Sequence, residues 1–410
     1  MTSSRPLKLF LKRVTLRNFK SIAACDVTLG PLIFLVGPNG SGKSNFLDSL
    51  NFVTDALRYS LDHAFRDRGG IGEVRRRSRG HPTHFGIRLD LELEDDRWGH
   101  YAFSIAARED RAYVVKDEEC FLIAPDDSAF QNAFFRVRTG RVTRCSITSP
   151  PQATKDRLYL MNLSGFPEFR AVYDSLASMG FYNLNPGVIR ELQTPDPGER
   201  LNSDGSNLAS VYGRLESNAP DVTQRIQEYL ASVVPGVTGV KPVSVGPKES
   251  LEFRQQVAGS KHPWRFLANS MSDGTLRTLG ILVALFQRGS GESSQIRLVG
   301  IEEPEIALHP AAAGIVTDSL RDAAMQKQVV VTSHSPDLLD NEAIRDEAIL
   351  AVISQEGMSK IGHLDSAGRR ALRDHLYTAG ELLRLDQLRP DPQQTDIKVR
   401  QRDLFGPHDG

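Results

Sequence analysis

Pro31-Leu32-Ile33-Phe34-Leu35-Val36 runs without a break into Gly37-Pro38-Asn39-Gly40-Ser41-Gly42-Lys43-Ser44. The first six residues are apolar on both alternations, the pattern of a strand buried on its two faces. From Lys43 to about Ser60 the apolar residues Phe46, Leu47, Leu50, Val53 and Leu57 recur at helical spacing, so the order is strand, glycine loop, helix. In that setting GxxxxGK[ST] is a phosphate loop. Its glycines let the backbone curl until successive N–H groups face a β-phosphate, and the helix start adds partial positive charge. Lys43 is placed to neutralise β- and γ-oxygens, and Ser44 to hold a magnesium ion through its hydroxyl.

Such a loop needs a second half, a carboxylate at the end of a neighbouring buried strand and a base for an attacking water. Arg297-Leu298-Val299-Gly300-Ile301-Glu302-Glu303-Pro304-Glu305 offers both. Three carboxylates directly after an apolar strand repel one another unless a cation is near. Glu302 is the candidate metal ligand and Glu303 the candidate general base. Val329-Val330-Val331-Thr332-Ser333-His334-Ser335-Pro336 then sets a histidine just past another apolar strand. In a doubly wound sheet the carboxyl ends of such strands line one crevice, so His334 is expected to face the same γ-phosphate as Lys43 and Glu303.

Outward from these motifs, residues 8–36 read as strands, and short β-type runs between about 84 and 148 predict an antiparallel sheet. The stretch 150–265 carries helical patterns between Pro/Asp/Gly groups at 194–205 and 235–247, and is expected to form a mainly helical lobe. Alternation of helix and strand returns over 266–363: helix 273–288, strand 296–301, helix 310–326, strand 328–332, helix 336–344, strand 348–353. The expected units are 1–149, the first half of a nucleotide-binding lobe with an antiparallel β subdomain; 150–265, the helical insert; 266–365, the second half of that lobe; and 366–410, a C-terminal helix and tail. Beyond about 388 the polar, proline-containing chain is expected to be loosely ordered. The fold class is therefore α/β, in two lobes.

Composition sets limits on function. The 410 residues hold 50 Lys plus Arg against 51 Asp plus Glu, so any nucleic-acid contact must be local, not driven by a global basic field. Arg66, Arg68 and the run Arg75-Arg76-Arg77-Ser78-Arg79 are the local basic candidates, for DNA phosphates or for a nucleotide across a dimer. Cys25, Cys120 and Cys145 have neither zinc-finger spacing nor the even count of a disulfide framework, which points to a reducing compartment. No apolar run approaches a membrane span, and Met1-Thr2-Ser3-Ser4-Arg5 lacks a secretory apolar region; the expected location is cytoplasmic, with no membrane partner.

With the motifs in place the sequence resembles the ABC ATPase superfamily, in the branch holding SMC, RecF and the overcoming-lysogenization-defect (OLD) ATPases. Thr15-Leu16-Arg17-Asn18-Phe19-Lys20-Ser21-Ile22 resembles that branch's N-terminal strand motif, GPNGSGKSN its Walker A, and Ser270-Met271-Ser272-Asp273-Gly274-Thr275-Leu276-Arg277 a signature motif of the SDGT form. EEPEIALHP is similar to a Walker B with D-loop, and TSHSP to an H-loop. Leu158-Tyr159-Leu160, Ser164-Gly165 and Asp204-Gly205-Ser206-Asn207-Leu208 resemble stand-alone ATPases of the branch.

The resemblance implies a P-loop head of the ABC type that binds ATP and Mg²⁺ and hydrolyses ATP. Carried over by position, Gly37, Asn39, Gly40, Ser41, Gly42, Lys43, Ser44 and Asn45 contact nucleotide, with Lys20 reaching the phosphates beside them. Ser44 and Glu302 hold the metal; Glu303, His334 and Lys43 act in catalysis. Ser272 and Gly274 act in trans, capping the nucleotide of a second head, so ATP is expected to join a homodimer. Three features depart from the pattern: Glu302 stands in place of the usual Asp, Asp273 in place of a Gly, and no glutamine has the flanks of a Q-loop, Gln131 and Gln152 included. These disfavour a transporter, the lack of long heptads disfavours a chromosome-scale SMC, and the 76 residues after His334 show no Toprim nuclease pattern. The expected role is an ATPase sensor or regulator of a separately encoded effector, such as a nuclease in phage defence; the alternative is a RecF-like DNA clamp in repair.

Overall fold

The computed structural model describes residues 8–77, 83–109, 112–126, 131–288, 295–307, 309–341, 343–396 and 404–405. Sixteen strands among them form three sheets. Strands β1 (Leu11–Phe19), β2 (Ile22–Thr28), β3 (Leu32–Val36), β4 (His84–Glu92), β5 (Trp98–Ala107), β6 (Tyr113–Ile123), β7 (Ala133–Arg138) and β8 (Arg141–Cys145) make up the first part of the chain. After them come β9 (Gly180–Tyr182), β10 (Val237–Val245), β11 (Lys248–Gln255), β12 (Trp264–Leu267), β13 (Leu298–Glu302), β14 (Gln328–Ser333), β15 (Ile349–Gln355) and β16 (Met358–His363).

The sheet that positions the site has the order β16-β15-β3-β14-β13-β9, parallel throughout except for edge strand β16. Registers Val36↔Ser333 and Glu302↔Thr332 bring the carboxyl ends of β3, β14 and β13 level, so the segments leaving these three strands meet at one crevice. The apolar runs read as doubly buried strands are so: β14 is buried at every residue. Helix Lys43–Arg58 buries Phe46, Leu47, Leu50, Val53 and Leu57, the residues whose spacing predicted it, together with Phe52 and Ala56. Its apolar face packs on the antiparallel sheet β2-β1-β4-β5-β6-β7-β8, where the Phe52 and Phe85 rings meet edge to face at 5.6 Å. Helix Asp273–Phe286 is buried from Thr275 to its end in the second core, between the parallel sheet and the helices of the insert.

Three expectations are corrected. The insert begins as helices, notably Leu208–Asn218 and Pro220–Val233, but closes with the three-stranded sheet β10-β11-β12. Gly246 at φ 61° makes the two-residue hairpin between Val245 and Lys248, so a turn signal that read as loop joins two strands. The helix expected over 336–344 ends at Leu339: Asp340 leaves the helical region at ψ 47°, and its carboxylate is held by Thr378 Oγ1 at 2.6 Å and Arg384 Nη1 at 2.5 Å. The tail is anchored where it is described: helix Pro392–Thr395 forms, Leu404 is buried against Ala102, and the Arg136 guanidinium lies over the Phe405 ring. Gly86 opens that slot, since a Cβ there would overlap the Leu404 side chain.

Within the antiparallel lobe Glu118 is buried, accepting from the backbone N–H groups of Tyr159 (2.5 Å) and Leu160 (3.0 Å) and from the Tyr101 hydroxyl (3.0 Å). Burial outweighs these donors and pushes its carboxyl up to about 7. The protonated form thus stabilises the fold fully below the ordinary value near 4.5, and that contribution is lost as pH rises through about 7. Glu118→Gln is expected to remove this pH dependence, on the order of 3 kcal/mol, in urea unfolding followed at pH 5 and pH 8.

Candidate functional site

Glycine is required in the loop for two different reasons. Gly40 (φ 75°) and Gly42 (φ 104°) lie in the left-handed region that opens the curl. Gly37 lies against β15, and a Cβ there would overlap the Val352 carbonyl oxygen. From below, Ser359 Oγ on β16 donates to the Ser41 carbonyl at 2.6 Å and shares a 2.7 Å hydrogen bond with Ser21 Oγ, which accepts from Asn45 Nδ2 at 2.7 Å. Asn45, expected at the nucleotide, is thus engaged in fastening the loop to the β1–β2 turn. Pro38, Asn39 and Gly40 are exposed at the mouth, while Ser41 is buried with its hydroxyl unpartnered.

Lys43 is buried and folded back, donating to the carbonyls of Gly37 (2.8 Å) and Pro38 (3.1 Å). Burial lowers its pKa, against the attraction of Glu303 and Glu305. Ser44 Oγ donates to Glu302 Oε2 at 3.0 Å, joining the loop to the end of β13 across 258 residues of sequence. Burial raises the Glu302 pKa; the Ser44 hydrogen bond and Lys20 oppose the rise, while Asp48 and Glu303 add to it. Lys20 stands beside the loop, at φ 46°, with its Nζ 2.7 Å from Asp48 on the helix after Ser44. It is paired with that carboxylate here, one helical turn past the phosphate loop.

Glu303 comes directly after Glu302 at φ 44°, a left-handed conformation strained for a side-chain-bearing residue, held by hydrogen bonds from its N–H to the Thr332 carbonyl (3.0 Å) and Oγ1 (3.2 Å). Its Oε1 lies 3.2 Å from His334 Nδ1. Glu305 is a clamp: one oxygen accepts from Ser333 Oγ at 2.7 Å and from the His334 N–H at 3.0 Å. The three carboxylates that the sequence presented together therefore separate, with Glu302 facing Ser44, Glu303 facing the imidazole and Glu305 holding the turn. Their cation was not legible in the sequence. Arg277, buried on the signature helix, donates to the carbonyls of Leu184 (2.5 Å), Glu302 (3.0 Å) and Glu303 (3.1 Å). Burial lowers its pKa, and Glu305, Glu303 and Glu302 pull the other way. Its signals in sequence are its place at the end of the signature run and a charge within a helix that is apolar beyond it.

Ser272 caps helix Asp273–Phe286, its Oγ accepting from Thr275 N–H at 3.2 Å. Ser272 is exposed and Gly274 half-buried, and among the described residues neither is hydrogen-bonded to the phosphate loop of its own chain. Arg75, Arg76 and Arg77 come after helix Ile71–Val74, and Arg76 N–H donates to the Asn18 carbonyl at 2.9 Å; Ser78 and Arg79 of that run, and Leu308 of the D-loop segment, lie outside the described residues. Among the described residues there is no group of three or more metal-ligating side chains and no helix long and apolar enough to cross a membrane. The pair Ser44 and Glu302 fits a magnesium ion nonetheless, because that ion takes one or two protein ligands and completes its octahedron with phosphates and water.

Comparison with known proteins bears on the family and the fold. The family model described as AAA domain, putative AbiEii toxin, Type IV TA system, matches residues 32–340, more than half of the chain. An OLD nuclease of Thermus scotoductus is 23% identical over 377 residues, 86% of this chain and 66% of that protein. A RecF DNA replication and repair protein of Vibrio vulnificus is 46% identical over 41 residues, 10% of this chain and 11% of that one. The chain thus spans no more than about two thirds of the curated relatives it matches. The Smc head of Pyrococcus furiosus, solved with an extended coiled coil and the C-terminal domain of ScpA, superposes with a TM-score of 0.54 at 12% identity, covering 90% of this chain and 99% of that one. A loop, an acidic strand end and a histidine gathered at one crevice, on a fold shared with Smc heads and under a family model of this extent, identify the chain as a member of that AAA-domain family, with a head fold and sequence similar to the SMC, RecF and OLD branch.

Proposed function

We propose that the chain binds ATP with Mg²⁺ at this crevice, pairs with a second copy across the nucleotide, and hydrolyses the γ-phosphate bond to switch a separately encoded effector. The observation that carries the reading is the Ser44–Glu302 hydrogen bond with the Glu303–His334 pair beside it: a metal edge and a base edge on adjacent strand ends. Loop N–H groups and Lys43 hold the phosphates, Lys43 leaving the Gly37 and Pro38 carbonyls to do so. Glu303 takes the proton of the attacking water, and His334 orients Glu303 from one side. Bound magnesium supplies charge neutralisation at the β- and γ-oxygens. Exposure of Ser272 supports a role toward a second copy, since the signature of one head is free to meet the nucleotide of another.

An effector such as a nuclease in phage defence fits the likeness to an OLD nuclease over 66% of that protein and the toxin named in the family description. A DNA-clamp reading rests on Arg75–Arg77 and the RecF likeness. The two separate in a salt titration of duplex-DNA binding by the protein alone. The effector reading expects weak binding unchanged when Arg75, Arg76 and Arg77 are replaced by Gln. Tight binding whose salt slope falls by roughly one per arginine removed supports the clamp and overturns it.

A further inference from the structure

The signature carries an acidic residue, Asp273, where an incoming triphosphate would be repelled, and a single arginine grips the motif on both sides of Ser272. Arg190 ends helix Pro186–Arg190, just beyond β9, and its Nη2 donates to the Met271 carbonyl at 3.0 Å and to Asp273 Oδ1 at 2.5 Å. Arg190 is about one third exposed and Asp273 more than half. Among the described residues the Nε and Nη1 groups of Arg190 have no protein acceptor, so three N–H donors remain on a guanidinium tied to the two neighbours of the exposed Ser272. A guanidinium with one nitrogen tied down and two presented is a ready fork for phosphate oxygens.

We infer that Arg190 is a nucleotide-binding residue acting in trans. It screens Asp273 while the heads are apart and turns its free donors to the terminal phosphate of ATP held on the second copy when they close. The SDGT signature therefore works as a unit with Arg190: Asp273 positions the guanidinium, and the guanidinium supplies the positive charge at the docking face. The inference rests on the paired-head reading above, and its test separates the two.

Lys43→Ala heads, deficient in nucleotide binding, are mixed with Arg190→Ala heads, and ATP hydrolysis is measured against each variant alone. The mixture contains one composite site with an intact phosphate loop and an intact Arg190, so turnover several-fold above either variant is expected. Lys43→Ala mixed with Ser272→Ala is the companion. Recovery with Ser272→Ala but none with Arg190→Ala overturns the role of Arg190 and leaves the paired heads standing; recovery with neither overturns the paired heads. Asp273→Asn with Arg190→Ala then distinguishes phosphate contact from simple charge cancellation. The double variant is expected to stay at least about tenfold below the Asp273→Asn single variant in kcat/KM for ATP. Return of the double variant to wild-type kcat/KM would show that Arg190 does no more than neutralise Asp273.

Discussion

Glu303→Gln is expected to lower ATP turnover by about 10²- to 10⁴-fold while ATP binding persists and a nucleotide-bound dimer accumulates. The amide keeps the size of the side chain and the backbone bonds to Thr332 that hold residue 303 at φ 44°. Lost with the carboxylate are the ability to accept a proton from water and the negative charge opposite His334 Nδ1. Binding depends on the loop and Lys43, which sit on a different strand end, so affinity and turnover should part company. Equilibrium nucleotide binding and single-turnover hydrolysis, run beside light scattering with and without ATP, read all three quantities. Hydrolysis at the wild-type rate would remove Glu303 as the base.

The second large effect is structural. Arg277→Met should destabilise the head by about 3–5 kcal/mol, because a buried guanidinium is withdrawn from three carbonyls and from the field of three carboxylates at once. Methionine fills the volume but offers no donor, leaving the Leu184, Glu302 and Glu303 carbonyls to be satisfied elsewhere. Arg277→Lys retains the charge yet cannot span the gap from β9's exit to the end of β13 with a single nitrogen. Denaturant unfolding of the three proteins should order them wild type, Lys, Met. An Arg277→Met protein as stable as the wild type would show that the guanidinium does not hold the acidic turn together.

Local chemistry in regular order is the part of this molecule that its sequence discloses. The phosphate loop is legible because each glycine, Lys43 and Ser44 has a fixed place on one strand–loop–helix unit, Glu302 because it ends an apolar strand, and His334 because it directly follows another. The parallel sheet is implied by those doubly apolar strands. The illegible parts depend on partners far away in sequence. The pairing of Lys20 with Asp48, and of Asn45 with Ser21 and through it Ser359, has no mark in the sequence. Arg277 and Arg190 are ordinary residues until the fold brings them to Glu302 and Asp273. Strand β10 was hidden by Gly239 and Pro242, tolerated here because it is an edge strand, and Gly246 read as loop where it turns the chain into β11, although Val240, Leu251 and Phe253 of this hairpin are buried in the core. Gly86, inconspicuous in β4, admits Leu404.

The convergence of Lys43's loop with the Glu302 edge on one metal–nucleotide complex is tested most directly by Mn²⁺ affinity in the presence of ATP, measured by electron paramagnetic resonance in a Ser44→Ala, Glu302→Gln double-mutant cycle. Each single change should weaken Mn²⁺ binding about tenfold or more, and the double variant should lose little beyond the stronger single, since both side chains serve one ion. Effects that simply add, or a Glu302→Gln protein that binds Mn²⁺ and ATP as the wild type does, would place the two residues at separate sites.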